Sequence, residues 1–336
     1  MSIRIEPFGE DAHLYTLENS AGTRLVLTEI GAAAISLVYR GRDILLGWDN
    51  PGRYFNGDGD LGATVGRVAN RVADACFSLN GRTFTLAKND GENNLHSGPN
   101  GYHNRRWQVA DTADDRVVFC MDSPDGDQGF PGRLRLWASY TLTGDDTVQL
   151  DYRGEADADT PVNVTNHSYF NLNGHDSGSI LGHTLRLNAD SFTPCRTGLI
   201  PTGEILSVAD TPFDFRDPHP IGERIDEDDP RLASAGGYDL NFALNGEGLR
   251  PAAELTGEKS GVRLTVLTDA PGVQLYSGNF LMGETGKNGA VYARRTGVCL
   301  ETQGFPNAVN EPRFPSVVLK RGEVYRTRTV WQLSQI

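Results

Sequence analysis

The most restrictive feature of this 336-residue chain is a side-chain period of two that recurs along most of its length. In RLRLWASYTLTGDDTVQLDYRG, Leu134, Leu136, Ala138, Tyr140 and Leu142 fall on one face; a Gly-Asp-Asp turn follows, and Val148, Leu150 and Tyr152 resume the alternation. Only an extended strand puts every second side chain on the same side, so the segment reads as a long antiparallel hairpin with one buried face. FSLNGRTFTL repeats the pattern in shorter form, with Asn80-Gly81 supplying the positive-φ pair of a type I′ turn between apolar flanks. TRLVLTEI, HTLRLNAD, VRLTVLTD and VQLYSGNF read as further strands. Helical periodicity is scarce, and the 39 glycines and 17 prolines are dispersed instead of marking one linker. The expectation is therefore all-β: residues 1–336 as a single domain, a large antiparallel β-sandwich that hides its edges by stacking sheets.

Charge narrows the partners. With 31 basic against 44 acidic residues the formal net charge is −13, which repels phosphate backbones and anionic lipid. Nucleic acid and membrane are poor partners, whereas a neutral small molecule such as a sugar meets no penalty. The first residues, MSIRIEPFGEDAHLYTL, lack a basic segment followed by an apolar core, and no run of about 18 apolar residues occurs, so the chain reads as cytoplasmic. Cys76, Cys120, Cys195 and Cys299 form no CxxC pair, which signals neither a zinc knuckle nor a redox motif; reduced thiols are expected. GDGDLG at 57–62 matches the dinucleotide-binding glycine string but follows the polar PGRYFN instead of a buried strand. DSPDGDQGFPG has calcium-like carboxylates without EF-hand spacing and reads as an acidic turn. No G-x-S-x-G elbow, P-loop or HExxH occurs.

A few polar residues stand where chemistry is expected. Glu301, in TGVCLETQGFP, follows the alternating Val298 and Leu300 and reads as the end of a strand; apolar neighbours would raise its pKa by desolvation, or donors would hold it down, either of which suits a proton acceptor. His96, in DGENNLHSGPNG, and His167, in VNVTNHSYFNLNG, sit beside several asparagines, and histidine is the side chain best placed to exchange a proton near neutral pH. Arg71 and Asp239 offer a donor fork and an acceptor pair, the grouping that vicinal hydroxyls require, and Gln274 offers one of each. A zinc site of His96, His167 and Glu301 is open by residue type, but spacing gives it no support.

Taken together, seven segments occur in the order of one known family: GRVANR at 66–71, NNLH at 93–96, SPDGDQGFPG at 123–132, NHSYFNL at 166–172, GLIPTGE at 198–204, TDAPGVQLYSGNFL at 268–281 and LETQGFPNA at 300–308. By these motifs the chain resembles the aldose 1-epimerase, or galactose mutarotase, family from near its first residue to almost its last. The resemblance implies a large β-sandwich of the mutarotase type with an open sugar cleft, an aldose substrate and no cofactor or metal. It implies Glu301 as the base at the anomeric hydroxyl, His167 as the acid at the ring oxygen, and His96 as a second histidine bonded near the reacting centre. Asn70, Arg71, Asp239 and Gln274 match the positions that bind hydroxyls. A monomer or homodimer is expected.

The chain departs from the family pattern at Ser97, where a glycine is common, at Leu240, where a histidine is common, and at Cys195-Arg196 before GLIPTGE. These bear on sugar preference. Competing readings are a hexose-phosphate 1-epimerase, with Arg105 and Arg106 around the phosphate, a glycosidase using Asp239 and Glu301, and a non-catalytic sugar-binding module.

Overall fold

The computed structural model describes residues 1–56 and 60–336. The period of two becomes three large sheets. The first is a five-stranded meander of Ser2–Phe8, Ala12–Glu18, Arg24–Thr28, Ala33–Tyr39 and Arg42–Asp43. Nine strands form the second, in spatial order Gln108–Ala113, Arg116–Ser123, Leu134–Leu142, Thr147–Ala156, Val324–Gln335, Val262–Thr268, Arg250–Thr256, Thr184–Leu187 and His219–Pro220. Six form the third: Tyr169–Phe170, Val298–Gln303, Gly272–Tyr276, Asp239–Ala243, Ser191–Thr193 and Leu206–Ser207. All their strand pairs are antiparallel. The all-β sandwich expected from the alternation is what forms.

Both hairpins predicted from sequence are present. Leu142 faces Val148, Tyr140 faces Leu150 and Ala138 faces Tyr152 across the long one, and every second residue from Leu134 to Leu142 is buried. In the short one Cys76–Leu79 pairs with Arg82–Thr85, and Asn80 and Gly81 take φ of 51° and 75°, as a type I′ turn requires.

One apolar core joins the sheets. Leu17, Leu25 and Leu27 of the first, Phe119, Leu136 and Leu150 of the second, and Phe242, Leu275 and Leu300 of the third belong to the same buried cluster. Phe170 of the six-stranded sheet meets Trp331 of the nine-stranded sheet edge-on, with centroids 5.3 Å apart. The third sheet is unusual in burying both faces: all six residues of Val298–Gln303 and all five of Gly272–Tyr276 are buried. Its core face carries the aliphatic and aromatic side chains just named. Loops cover the other, and that second face is where the polar residues gather.

Helices are short. Pro51–Phe55 is capped by Asn50, whose side chain accepts from the Gly52 N–H, and Pro230–Ala235 is capped in the same way by Asp229. No helix among the described residues is long and apolar enough to cross a membrane.

Candidate active site

Strand register builds the floor of the site. Tyr169 faces Cys299, Cys299 faces Tyr276 and Tyr276 faces Asp239, so one row of side chains runs across four strands on the covered face. Two residues further along, Glu301 faces Gln274 and Gln274 faces Asn241 in a second row. Leu300, Leu275 and Leu240 alternate with these and point into the core.

Glu301 is not at the strand end that the sequence suggested; the strand runs on to Gln303 and leaves the carboxyl 2% exposed. Burial raises its pKa to about 7, with the Asp239 and Asp60 carboxylates pushing the same way and His167 and Arg71 opposing. Its Oε1 lies 3.6 Å from His167 Nε2, and its Oε2 has no hydrogen-bond partner among the described residues.

Loops bring in the histidines. Thr165–Asn166 pairs with Thr64–Val65, and the turn beyond is pinned by His167 N–H to Ala63 C=O at 2.9 Å and Gly62 N–H to His167 C=O at 2.9 Å. The His167 ring stacks on Tyr169 with centroids 5.0 Å apart and planes 24° from parallel, and its Nδ1 sits 3.5 Å from Cys299 Sγ. His96 follows a two-residue pairing of Asn94 with Val72 and Leu95 with Arg71. The Asn70 backbone N–H donates to His96 Nδ1 at 3.1 Å. A neutral His96 therefore carries its proton on Nε2. Burial pushes its pKa down to about 3, with Asp60 opposing and the neighbouring His167, His103 and Arg71 reinforcing the shift, so it stays neutral. The two histidine rings are 5.5 Å apart.

The expected hydroxyl-binding residues converge beside them. Arg71 Nε donates to Asp90 at 2.7 Å, and a terminal nitrogen reaches Asp239 Oδ2 at 3.9 Å. Gln274 Nε2 donates to Asp239 Oδ1 at 2.6 Å. Asn70, Arg71, His96, His167, Asp239 and Glu301 line one cavity of about 140 Å³, together with Asp60, Leu95, Tyr169, Tyr276 and Phe280. Gln274 is the exception: it holds Asp239 from within the sheet instead of forming the cavity wall.

Sequence reasoning passed over Asp60, Tyr169, Tyr276 and Phe280. Period two signalled two of them, since Tyr169 lies two residues after His167 and Tyr276 two after Gln274. Asp60 belongs to GDGDLG, weighed only as a nucleotide motif; Gly57, Asp58 and Gly59 of that string lie outside the described residues, while Gly62 anchors the His167 turn. DSPDGDQGFPG is a clamped turn: Asp127 is bonded by Arg105 and Ser123, and Asp125 accepts from the Gly132 N–H at 2.6 Å.

The departures sort themselves by position. Ser97 takes the left-handed φ of 70°, and its hydroxyl ties the His96 loop to Val68 by accepting from its N–H at 2.8 Å and meeting its C=O at 3.1 Å. Leu240 lies in the core, away from the cavity. Cys195 lies close enough to Asp239 and Arg71 to feel both charges.

Two trios among the described residues, Asp60-His96-His167 and His167-Cys299-Glu301, have donor atoms near enough to share a cation. A phosphate finds little welcome: Arg105 is bonded to Asp127 and to the Asn100 carbonyl, Arg106 lies over Phe55, and Asp60, Asp239 and Glu301 line the cavity.

A buried carboxyl group, two histidines and the Arg71–Asp239 pair thus share one cavity on the covered face of the six-stranded sheet. The family profile described as Aldose 1-epimerase matches residues 13–332. A galactose mutarotase of Bos taurus is 45% identical over 294 residues, covering 87% of this chain and 84% of that protein. An aldose 1-epimerase of Escherichia coli (strain K12) is 39% identical over 338 residues, covering 98% and 97%. The solved structure of an aldose epimerase homologue from C. elegans superposes with a TM-score of 0.91 at 29% identity, covering 97% of this chain and 99% of that one. The chain belongs to the aldose 1-epimerase family.

Proposed function

We propose that this aldose 1-epimerase interconverts the α and β anomers of free aldohexoses such as galactose and glucose, with Glu301 as base and His167 as acid. Glu301 takes the proton from the O1 hydroxyl while the C1–O5 bond breaks, its electron pair going to O5. His167 delivers a proton from Nε2 to O5. The open aldehyde turns about C1–C2, and reclosure reverses both transfers to give the other anomer. A carboxyl group at about 7 is part ionised at neutral pH and far more basic than an ordinary glutamate, which matches its strength to the task. Neutral His96 presents Nε2–H as a fixed donor near the reacting centre, and Asn70, Arg71 and Asp239 hold the hydroxyls, with Gln274 fixing Asp239.

The observation that carries this reading is the closeness of Glu301 and His167, 3.6 Å apart and both buried on the wall of one polar cavity. We also read residues 1–336 as one domain, because its core draws on all three sheets, and we place the chain in the cytoplasm as a monomer or homodimer, in keeping with four unpaired cysteines. Polarimetry of freshly dissolved α-galactose and α-glucose tests the activity. A rate proportional to enzyme, and cut by about 10²- to 10⁴-fold in His167→Gln, is expected. Binding of galactose without any acceleration would leave only a sugar-binding module.

A further inference from the structure

We propose that Cys299 is a positioning residue for the reaction: its sulfur accepts the Nδ1–H of His167 and so reserves Nε2 for proton exchange with the sugar. This inference rests on the reading of His167 as the acid. Cys299 is fully buried two residues before Glu301 on the same strand and face, and its Sγ lies 3.5 Å from His167 Nδ1, an ordinary N–H to sulfur separation. Stacking on Tyr169 fixes the plane of the imidazole, and the contact with sulfur fixes its rotation within that plane. Nε2 is left facing Glu301 at 3.6 Å.

The bookkeeping of protons requires that the neutral ring keep its proton on Nδ1, and a sulfur acceptor at that nitrogen favours it there. When the imidazolium gives its Nε2 proton to O5, the neutral ring left behind must keep its other proton on Nδ1. Its Nε2 lone pair then recovers the same proton from the O5 hydroxyl on reclosure. A sulfur lone pair on Nδ1–H favours that tautomer, and the S–H bond neither forms nor breaks. Burial pushes the thiol pKa well above its usual value, so Cys299 stays neutral and adds no charge beside Glu301.

His96 is arranged the opposite way. Its Nδ1 receives a backbone N–H and cannot keep a proton in the neutral ring, so its Nε2–H is permanent. One cavity thus holds a fixed donor and an exchanger, distinguished by what stands behind each Nδ1: an amide N–H for His96, a sulfur for His167.

Nitrogen-15 NMR of the imidazoles tests this on the unaltered protein at about pH 9, well above the ordinary histidine pKa. His167 should be a single Nδ1–H tautomer and His96 a single Nε2–H tautomer. Cys299→Ala should give His167 a mixture of tautomers and lower kcat about 10-fold, the equivalent of one lost hydrogen bond, with KM for galactose unchanged. Cys299→Ser, whose hydroxyl can also accept, should restore both the single tautomer and most of kcat. An Nε2–H or mixed His167 in the parent overturns the proposal, whether or not the variants fold. So does a Cys299→Ala enzyme with the parent's tautomer and kcat. If His167→Gln keeps the parent's rate, the acid assignment itself is what fails, and the tautomer measurement on the parent still decides the contact with sulfur.

Discussion

A carboxyl group that is nearly fully buried and has a free oxygen is costly to ionise, yet Glu301 must be ionised to act as a base. The cost is measurable as stability. Its folded pKa of about 7 exceeds the ordinary 4.5, so the folded protein holds this proton more tightly than the unfolded chain. Below the ordinary value both states are protonated and Glu301 carries no penalty. As pH rises through the interval the folded state loses ground, and above about 7 the full penalty of about 3 kcal/mol is present. Glu301→Gln should therefore be more stable than the parent by about that amount at pH 8, and the gain should disappear at acid pH. Chemical denaturation at the two pH values measures it; a Gln variant less stable at pH 8 would contradict the assigned burial cost. Positioning residues should behave differently. Arg71→Ala and Asp239→Asn each remove a polar partner worth about 1–3 kcal/mol, so kcat/KM for galactose should drop by about 5- to 150-fold. Unchanged kinetics in either variant would remove that residue from the sugar site.

At the scale of elements, the turn carrying His167 depends on a glycine. Gly62 has φ of 73°, and a Cβ there would stand 1.9 Å from the Ala34 carbonyl oxygen. Its C=O meanwhile accepts from the Asn166 side chain at 2.7 Å, and its N–H holds the His167 carbonyl. Gly62→Ala should cost more than about 1 kcal/mol and also reduce kcat, because relieving the clash moves the acid. A thermal melt with polarimetry checks both, and an active, fully stable variant would show that the turn is less constrained than its geometry implies. Hairpins were legible in the sequence because one face of each is polar, so alternation and turn residues agree. The six-stranded sheet was harder to read. Its strands bury both faces, so VCLETQ shows no exposed half, and Glu301 looked like a strand end. Long-range pairings escaped altogether: the His96 loop joins Arg71 across 24 residues of sequence, and nothing local in either segment announces the Leu95–Arg71 pairing. Identities of the site residues came instead from ordered motifs, which is why Asp60 and Cys299, valued by no motif reading, emerged only from geometry.

For the whole molecule, the net charge of −13 and the three carboxylates at the cavity favour a neutral substrate. Activity on free galactose should survive dialysis against EDTA, since the proposed cycle moves only protons; loss on chelation with recovery on adding zinc would assign the Asp60-His96-His167 trio to a metal instead. The central claim is that Glu301 and His167 act as one unit, and a double-mutant cycle on initial polarimetric rates with α-galactose tests it most directly. Glu301→Gln and His167→Gln should each lower kcat by about 10²- to 10⁴-fold, and the double variant should be little worse than the poorer single one, because neither proton transfer is useful without the other. Galactose should still bind Glu301→Gln with near-parental affinity. A Glu301→Gln enzyme that equilibrates α-galactose as fast as the parent, or losses that simply multiply in the double variant, would contradict the account.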